Sequence, residues 1–217
     1  MLDALKKFFA GPSVADRSKS GLEAWCAQRG FTLRTVQGAD GLVIDGILGG
    51  VPFRLEWGPS QRRYIQGAEL RLRAETPFLT GLQVLVVDNP LQREMEREVF
   101  EEYVEDTRTR IDTSTPPEMR WLVMLEKIDV NGAAPWRARC SAVASDPFWA
   151  TKWLGGATGA ALGAFDLAPG QPLVLMINRG RLTLRTALGQ PDLAPVATWT
   201  ALFEAAVAGA VDTSQRA

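Results

Sequence analysis

Histidine does not occur in this 217-residue chain, and that gap removes more chemistry than any other feature adds. Imidazole general bases, histidine metal ligands, HExxH metalloproteases and Ser-His-Asp or Cys-His hydrolysis are all excluded. Cysteine is nearly as scarce: Cys26 and Cys140 lie far apart and neither belongs to a CxxC pair, so no thiolate metal site or thioredoxin-like motif is available. A single long-range disulfide stays open. The opening residues Met1 to Ala10, however, carry no apolar signal core or small-residue cleavage pattern, so a reducing cytoplasm with two free thiols is the expectation. Long uncharged runs are also missing, the longest being Trp153 to Phe165, short of the ~18 residues that cross a bilayer. Neither charge sign dominates: 24 basic residues face 25 acidic ones. That balance withdraws the electrostatic argument for a nucleic-acid partner.

What is present is a core-forming composition. Hydrophobic residues make up 46% of the chain and mean hydropathy is -0.05, which excludes disorder, collagen and coiled coil. Leu2, Leu5 and Phe9, with Phe8 beside them, share one helical face ahead of Gly11-Pro12. Ser13 to Lys19 then reads as a linker and Ser20-Gly21-Leu22-Glu23 as a capping box opening a helix that Gly30 ends.

From Phe31 the hydrophobic period shortens to two, with strands expected near 31–36, 41–48, 51–57, 64–75 and 82–87, and Gly49-Gly50 as a hairpin turn. On the fourth of these, Glu69, Arg71, Arg73 and Glu75 alternate with apolar residues, predicting a core face backed by a lattice of opposite charges.

Asn89-Pro90 caps a charged helix to about Thr107, and Thr113 to Pro117 reads as a loop. Trp121 to Ile128 reads as a buried strand and Trp136 to Ala144 as another. Ser145-Asp146-Pro147 opens a long helix, Leu173 to Thr186 forms a hairpin through Asn178-Arg179-Gly180, and an amphipathic helix closes the chain before a polar tail at 212–217. The fold class is α+β: antiparallel sheet with packed helices. The expected organisation is an N-terminal amphipathic helix at 1–12, a strand-rich half at 20–130 and a helix-hairpin-helix half at 131–211, joined in one domain or separate. Thr-Leu-Arg-Thr recurs at 32–35 and 183–186, which admits two related halves.

Three constellations carry chemistry. Gly156-Ala157-Thr158-Gly159, with Gly155 and Gly163 completing a four-residue spacing, resembles a dinucleotide loop, but no apolar strand precedes it and helix packing is the reading adopted. Glu98, Glu102 and Glu105 share a helical face and could hold Mg²⁺ or Ca²⁺, or divide acid-base work, although Arg93 and Arg97 are interleaved with their helix. Leu5, Lys6, Lys7, Phe8 and Phe9 form an amphipathic surface suited to the chain's own sheet, a partner or a membrane.

The segments Ser145-Asp146-Pro147, Ala150, Leu173 to Ile177, Arg179-Gly180 and Leu182 to Arg185 resemble a pattern in an uncharacterised group of bacterial proteins of unknown function. The resemblance covers about a third of the chain and implies no catalytic residue. The first expectation is a non-catalytic cytoplasmic module that binds a protein partner or itself, without a cofactor. The alternatives are a histidine-free, metal-assisted hydrolase or small-ligand binder, and a peripheral membrane protein.

Overall fold

A computed structural model describes residues 14–36, 41–105, 115–128 and 134–216, and the side chains of all of these except 14–19 and 102–105. Leu5, Lys6, Lys7, Phe8 and Phe9 lie outside the described residues. Nine strands form one antiparallel sheet: β1 (Thr32–Thr35), β2 (Leu42–Leu48), β3 (Val51–Pro59), β4 (Ala68–Glu75), β5 (Val84–Asp88), β6 (Glu126–Lys127), β7 (Cys140–Ala144), β8 (Val174–Asn178) and β9 (Arg181–Ala187). Their order is β1-β2-β3-β4-β9-β8-β5-β7-β6. The C-terminal hairpin therefore sits in the middle, with β9 on β4 and β8 on β5. The described α-helices are α1 (Val14–Arg29), α2 (Asn89–Glu105), α3 (Pro117–Met124), α4 (Pro147–Gly155), α5 (Ala157–Ala164) and α6 (Leu193–Gln215).

The two tight hairpins follow from their turn residues. Gly49 and Gly50 have φ of 55° and 78°, and Arg179 and Gly180 have φ of 50° and 71°. Two successive positive φ values match the right-handed twist of the flanking strands. Along β3, β4 and β9 the inward residues Phe53, Leu55, Leu70, Leu72, Leu182 and Leu184 are buried in one apolar cluster with α1, α4, α5 and α6. A second cluster lies on the opposite, outer face, where Leu85, Val87, Val143, Val174 and Met176 pack with Leu91, Met95 and Val99 of α2 and Met119, Trp121 and Leu122 of α3.

Several expectations are corrected. The segment read as a linker from Ser13 is helical from Val14, so Ser20 lies within α1 and not at its N-terminus. Trp121 to Ile128 is not a strand: Pro116-Pro117 starts a helix at Pro117, since proline suits the first helical turn, and Met119 and Leu122 then face the core at helical spacing. Only Glu126–Lys127 remain extended. Residues 135–138 form a 3₁₀ turn, so the following strand starts at Cys140. The cap of α2 is Asp88, whose Oδ2 accepts from the Leu91 amide at 3.1 Å. Asn89 instead donates to the Ala138 carbonyl. Asp146 does cap α4, accepting from Trp149 at 3.0 Å.

The expected single helix after Asp146 divides into α4 and α5, with Gly156 as the joint. Within α5 the glycines are steric necessities. A Cβ on Gly159 would lie 1.7 Å from the Leu154 carbonyl oxygen, and one on Gly163 would lie 2.8 Å from Pro135 Cβ. Their bareness lets α5 approach α4 and the turn at 135–138.

The closing helix runs through the expected polar tail to Gln215, with Ala210 and Thr213 buried. By length and composition α6 alone among the described helices is long and apolar enough to cross a membrane, against the short-run reading of the sequence. It packs in the fold through Trp199, Phe203, Ala206 and Val207.

Candidate functional site

The outer face of the sheet changes character at the β9–β8 junction. On β8, β5 and β7 it is apolar and covered by α2 and α3. On β1 to β4 and β9 the same face carries Arg34, Asp45, Arg54, Glu56, Glu69, Arg71, Arg73, Glu75, Arg181, Thr183 and Arg185, with Val43, Ile47 and Pro52 among them. Six arginines meet four carboxylates there. The strand period alone puts these groups on one side, because each alternates with a residue of the inner core.

Cross-strand register sets their neighbours. Asp45 faces Arg54, Arg54 faces Arg73, and Arg73 faces Thr183 across β9. One row along, Glu56 faces Arg71, and Arg71 faces Arg185. Burial is graded across this face. Arg34, Arg54, Glu75 and Arg181 are exposed, whereas Glu69, Arg71 and Arg185 are only 2%, 8% and 6% exposed.

The buried end is a closed ionic network. Glu69 Oε1 accepts from Arg185 Nη1, Glu69 Oε2 accepts from the Gln61 amide at 2.8 Å, and Arg71 Nη1 stands 3.7 Å from Glu69 Oε2. Arg71 also donates through Nε to Glu56 Oε2 at 2.9 Å and through Nη2 to the same oxygen. So the expected charge lattice is interior at this end, where Gln61 of the 60–67 loop closes over Glu69.

That boundary is itself pinned by a fully buried carboxylate, Glu118 in the first turn of α3. Its Oε1 accepts from Arg62 Nε and from Tyr64 OH at 2.8 Å. Burial pushes Glu118 up, but the hydrogen bond and charge of Arg62 outweigh it and hold the carboxyl below its ordinary value. Burial, then the Glu118 charge, raise the Tyr64 phenol, which stays protonated and can only donate to that carboxylate. Glu118 Oε2 and Arg185 Nε are buried without a hydrogen-bond partner. A cleft of about 210 Å³ opens beside the network, lined by Gly41, Trp57, Gln61, Glu56, Glu69 and Arg71.

Of the acidic trio of α2, Glu98 pairs with Arg63 at 2.8 Å, and the side chains of Glu102 and Glu105 lie outside the described residues. Among the described residues no group of three or more acidic or cysteine side chains could hold a metal ion. Both cysteines are free and buried. Burial foremost pushes the Cys140 thiol up to about 12, which makes it a packing group rather than a nucleophile.

Sequence reasoning set Glu69, Arg71, Arg73 and Glu75 on one face but missed Glu118, Arg181 and Arg185 as their neighbours. Strand parity at Arg181 and Arg185 was the available signal, whereas the placement of Glu118 needed the helix at 117–124. Comparison with protein-family models, curated proteins and solved structures finds no match for this chain.

Proposed function

We propose that this protein is a non-catalytic binding module that takes a protein partner on the open part of its outer sheet face, within a reducing cytoplasm. The observation that carries the reading is the divided face itself. One part is sealed by α2 and α3, while the other presents Arg34, Arg54, Glu75 and Arg181 exposed to solvent, the last three on strands paired on both sides. Such a surface offers directional, charge-assisted contacts at little ordering cost, which favours specificity and association rate. The free, buried thiols fit the compartment.

Replacing two exposed arginines, Arg54→Gln with Arg181→Gln, tests this. Proteins crosslinked to the wild-type chain in its own cell extract should be lost from the double variant, with melting temperature within a few degrees of wild type because exposed ion pairs contribute only about 0.2–1 kcal/mol each. An unchanged crosslinking pattern would place the interaction surface elsewhere.

A further inference from the structure

Resting on that reading, we propose that the open face carries a carboxylate clamp centred on Arg73, which grips an acidic segment of the partner protein. Arg73 is the most weakly paired cation of the face. Arg54 donates to Asp45 at 2.7 Å and Arg34 to the same carboxylate. Arg181 donates to Glu75 at 2.8 Å, and Arg185 to Glu69. For Arg73 the charged contact among the described residues is Glu56 Oε2, 3.8 Å away. That lies beyond hydrogen-bond distance, and this oxygen already accepts twice from Arg71.

The surroundings make the weak pairing felt. Arg73 stands in register between Arg54 and Thr183, and its side chain is 29% exposed, so it is reachable yet partly desolvated. Burial, then the Arg71 charge, pull its guanidinium below the ordinary value, with Arg185 and Arg181 adding to the effect against the attraction of Glu56. An incoming anion would relieve this crowding, and the planar fork of an arginine matches a carboxylate with two parallel hydrogen bonds.

Charge selects the class of occupant. The face carries Arg34, Arg54, Arg71, Arg73, Arg181 and Arg185 against four carboxylates, an excess of two positive charges. A singly charged carboxylate is drawn to it. Asp45, Glu56 and Glu75, set among these arginines, divide the positive charge into separate positions along the strands, which suits carboxylates spaced along an extended acidic peptide better than the concentrated charge of a phosphate group.

The test is fluorescence anisotropy with a labelled glutamate-rich peptide and the full chain, set beside a lysine-rich peptide and inorganic phosphate as competitor. Binding of the glutamate peptide should weaken on adding salt and fall at least about tenfold in Arg73→Gln. Arg73→Lys should recover part of it, and Arg97→Gln on α2 should leave it unchanged. Melting temperatures of each variant report folding.

No binding by the wild type, equal loss in Arg97→Gln, or displacement by phosphate at the peptide's own concentration overturns the clamp. So does a mass in light scattering that grows with concentration and collapses in Arg73→Gln, since the occupant is then a second copy. If the glutamate peptide fails while Arg54→Gln/Arg181→Gln still loses its crosslinked partner, the clamp falls and the open-face reading stands. If the partner is retained, that reading falls as well.

Discussion

The two parts of the outer sheet face show two ways of finishing a β-sheet. Over β5, β7 and β8 the outward residues are Leu85, Val87, Val143, Val174 and Met176, so each strand is apolar on both sides and requires helices above it. Over β3, β4 and β9 most outward positions are charged, and cover comes from arginine and glutamate chains laid across one another, with Glu69 and Arg185 as deeply buried as many apolar residues. One part is sealed by the hydrophobic effect. The other is sealed at its inner end by electrostatic pairing and left available at its outer end. The same sheet thereby carries a helix-covered apolar region beside an open charged one.

The largest effect expected from breaking this contrast lies in the network. Glu69→Ala removes the carboxylate that accepts from Arg185 and leaves a buried cation unpaired, so urea unfolding should show a loss of about 3–5 kcal/mol. A paired replacement, Glu69→Leu with Arg185→Met, should recover most of it, because two apolar chains leave no charge uncompensated. A double variant as unstable as the single one would mean that the network is held by more than this pair.

On the apolar side, Met95→Ala opens a cavity beneath α2, where Met95 is fully buried, and should cost about 2–5 kcal/mol by the same measurement. The two parts also titrate with opposite sign, and this effect should be the smallest. Glu118 is held below its ordinary 4.5, so its contribution is complete above that value and is lost as pH falls through the lower folded value. Burial raises Asp88 from 3.8 despite bonds from the Leu173 and Leu91 amides, so acidification relieves a cost there. Between about pH 6 and about pH 3, Glu118→Gln should flatten the acid loss of stability and Asp88→Asn should steepen it, read as shifts in urea midpoint. Equal slopes in all three proteins would remove the electrostatic half of the comparison.

Much of this architecture was legible in the residues. The glycine-bearing turns at 49–50 and 179–180, the alternation on β3 and β4, and the Asp146 cap each rest on local chemistry that no tertiary contact overrides. The strand read at Trp121 failed because a short apolar run carries no period long enough to separate helix from strand. Pro116-Pro117, taken as a loop, marked the helix start. The candidate surface was half visible. Alternation put Glu69, Arg71 and Arg73 on one side, but their burial depends on the 60–67 loop and on Glu118, whose place beside Arg62 and Tyr64 is a tertiary fact. The pairing of β4 with β9 was not legible either, because Glu75 and its partner Arg181 stand 106 residues apart and no local signal spans that distance.

That separation also sets a timetable. β4 has β3 on one side as soon as the β3–β4 connection folds, but its other neighbour leaves the ribosome only 106 residues later, an interval of about 5–20 s at ordinary rates of synthesis. Throughout that interval β4 presents a row of unpaired amides and carbonyls to the cell, the condition under which strands pair with the wrong chain. Its own charges answer the hazard: Glu69, Arg71, Arg73 and Glu75 occupy every second position along the waiting edge, and a row of charges makes a poor template for an apolar stranger. Residues that pair with one another in the finished molecule would thus also guard the unfinished one.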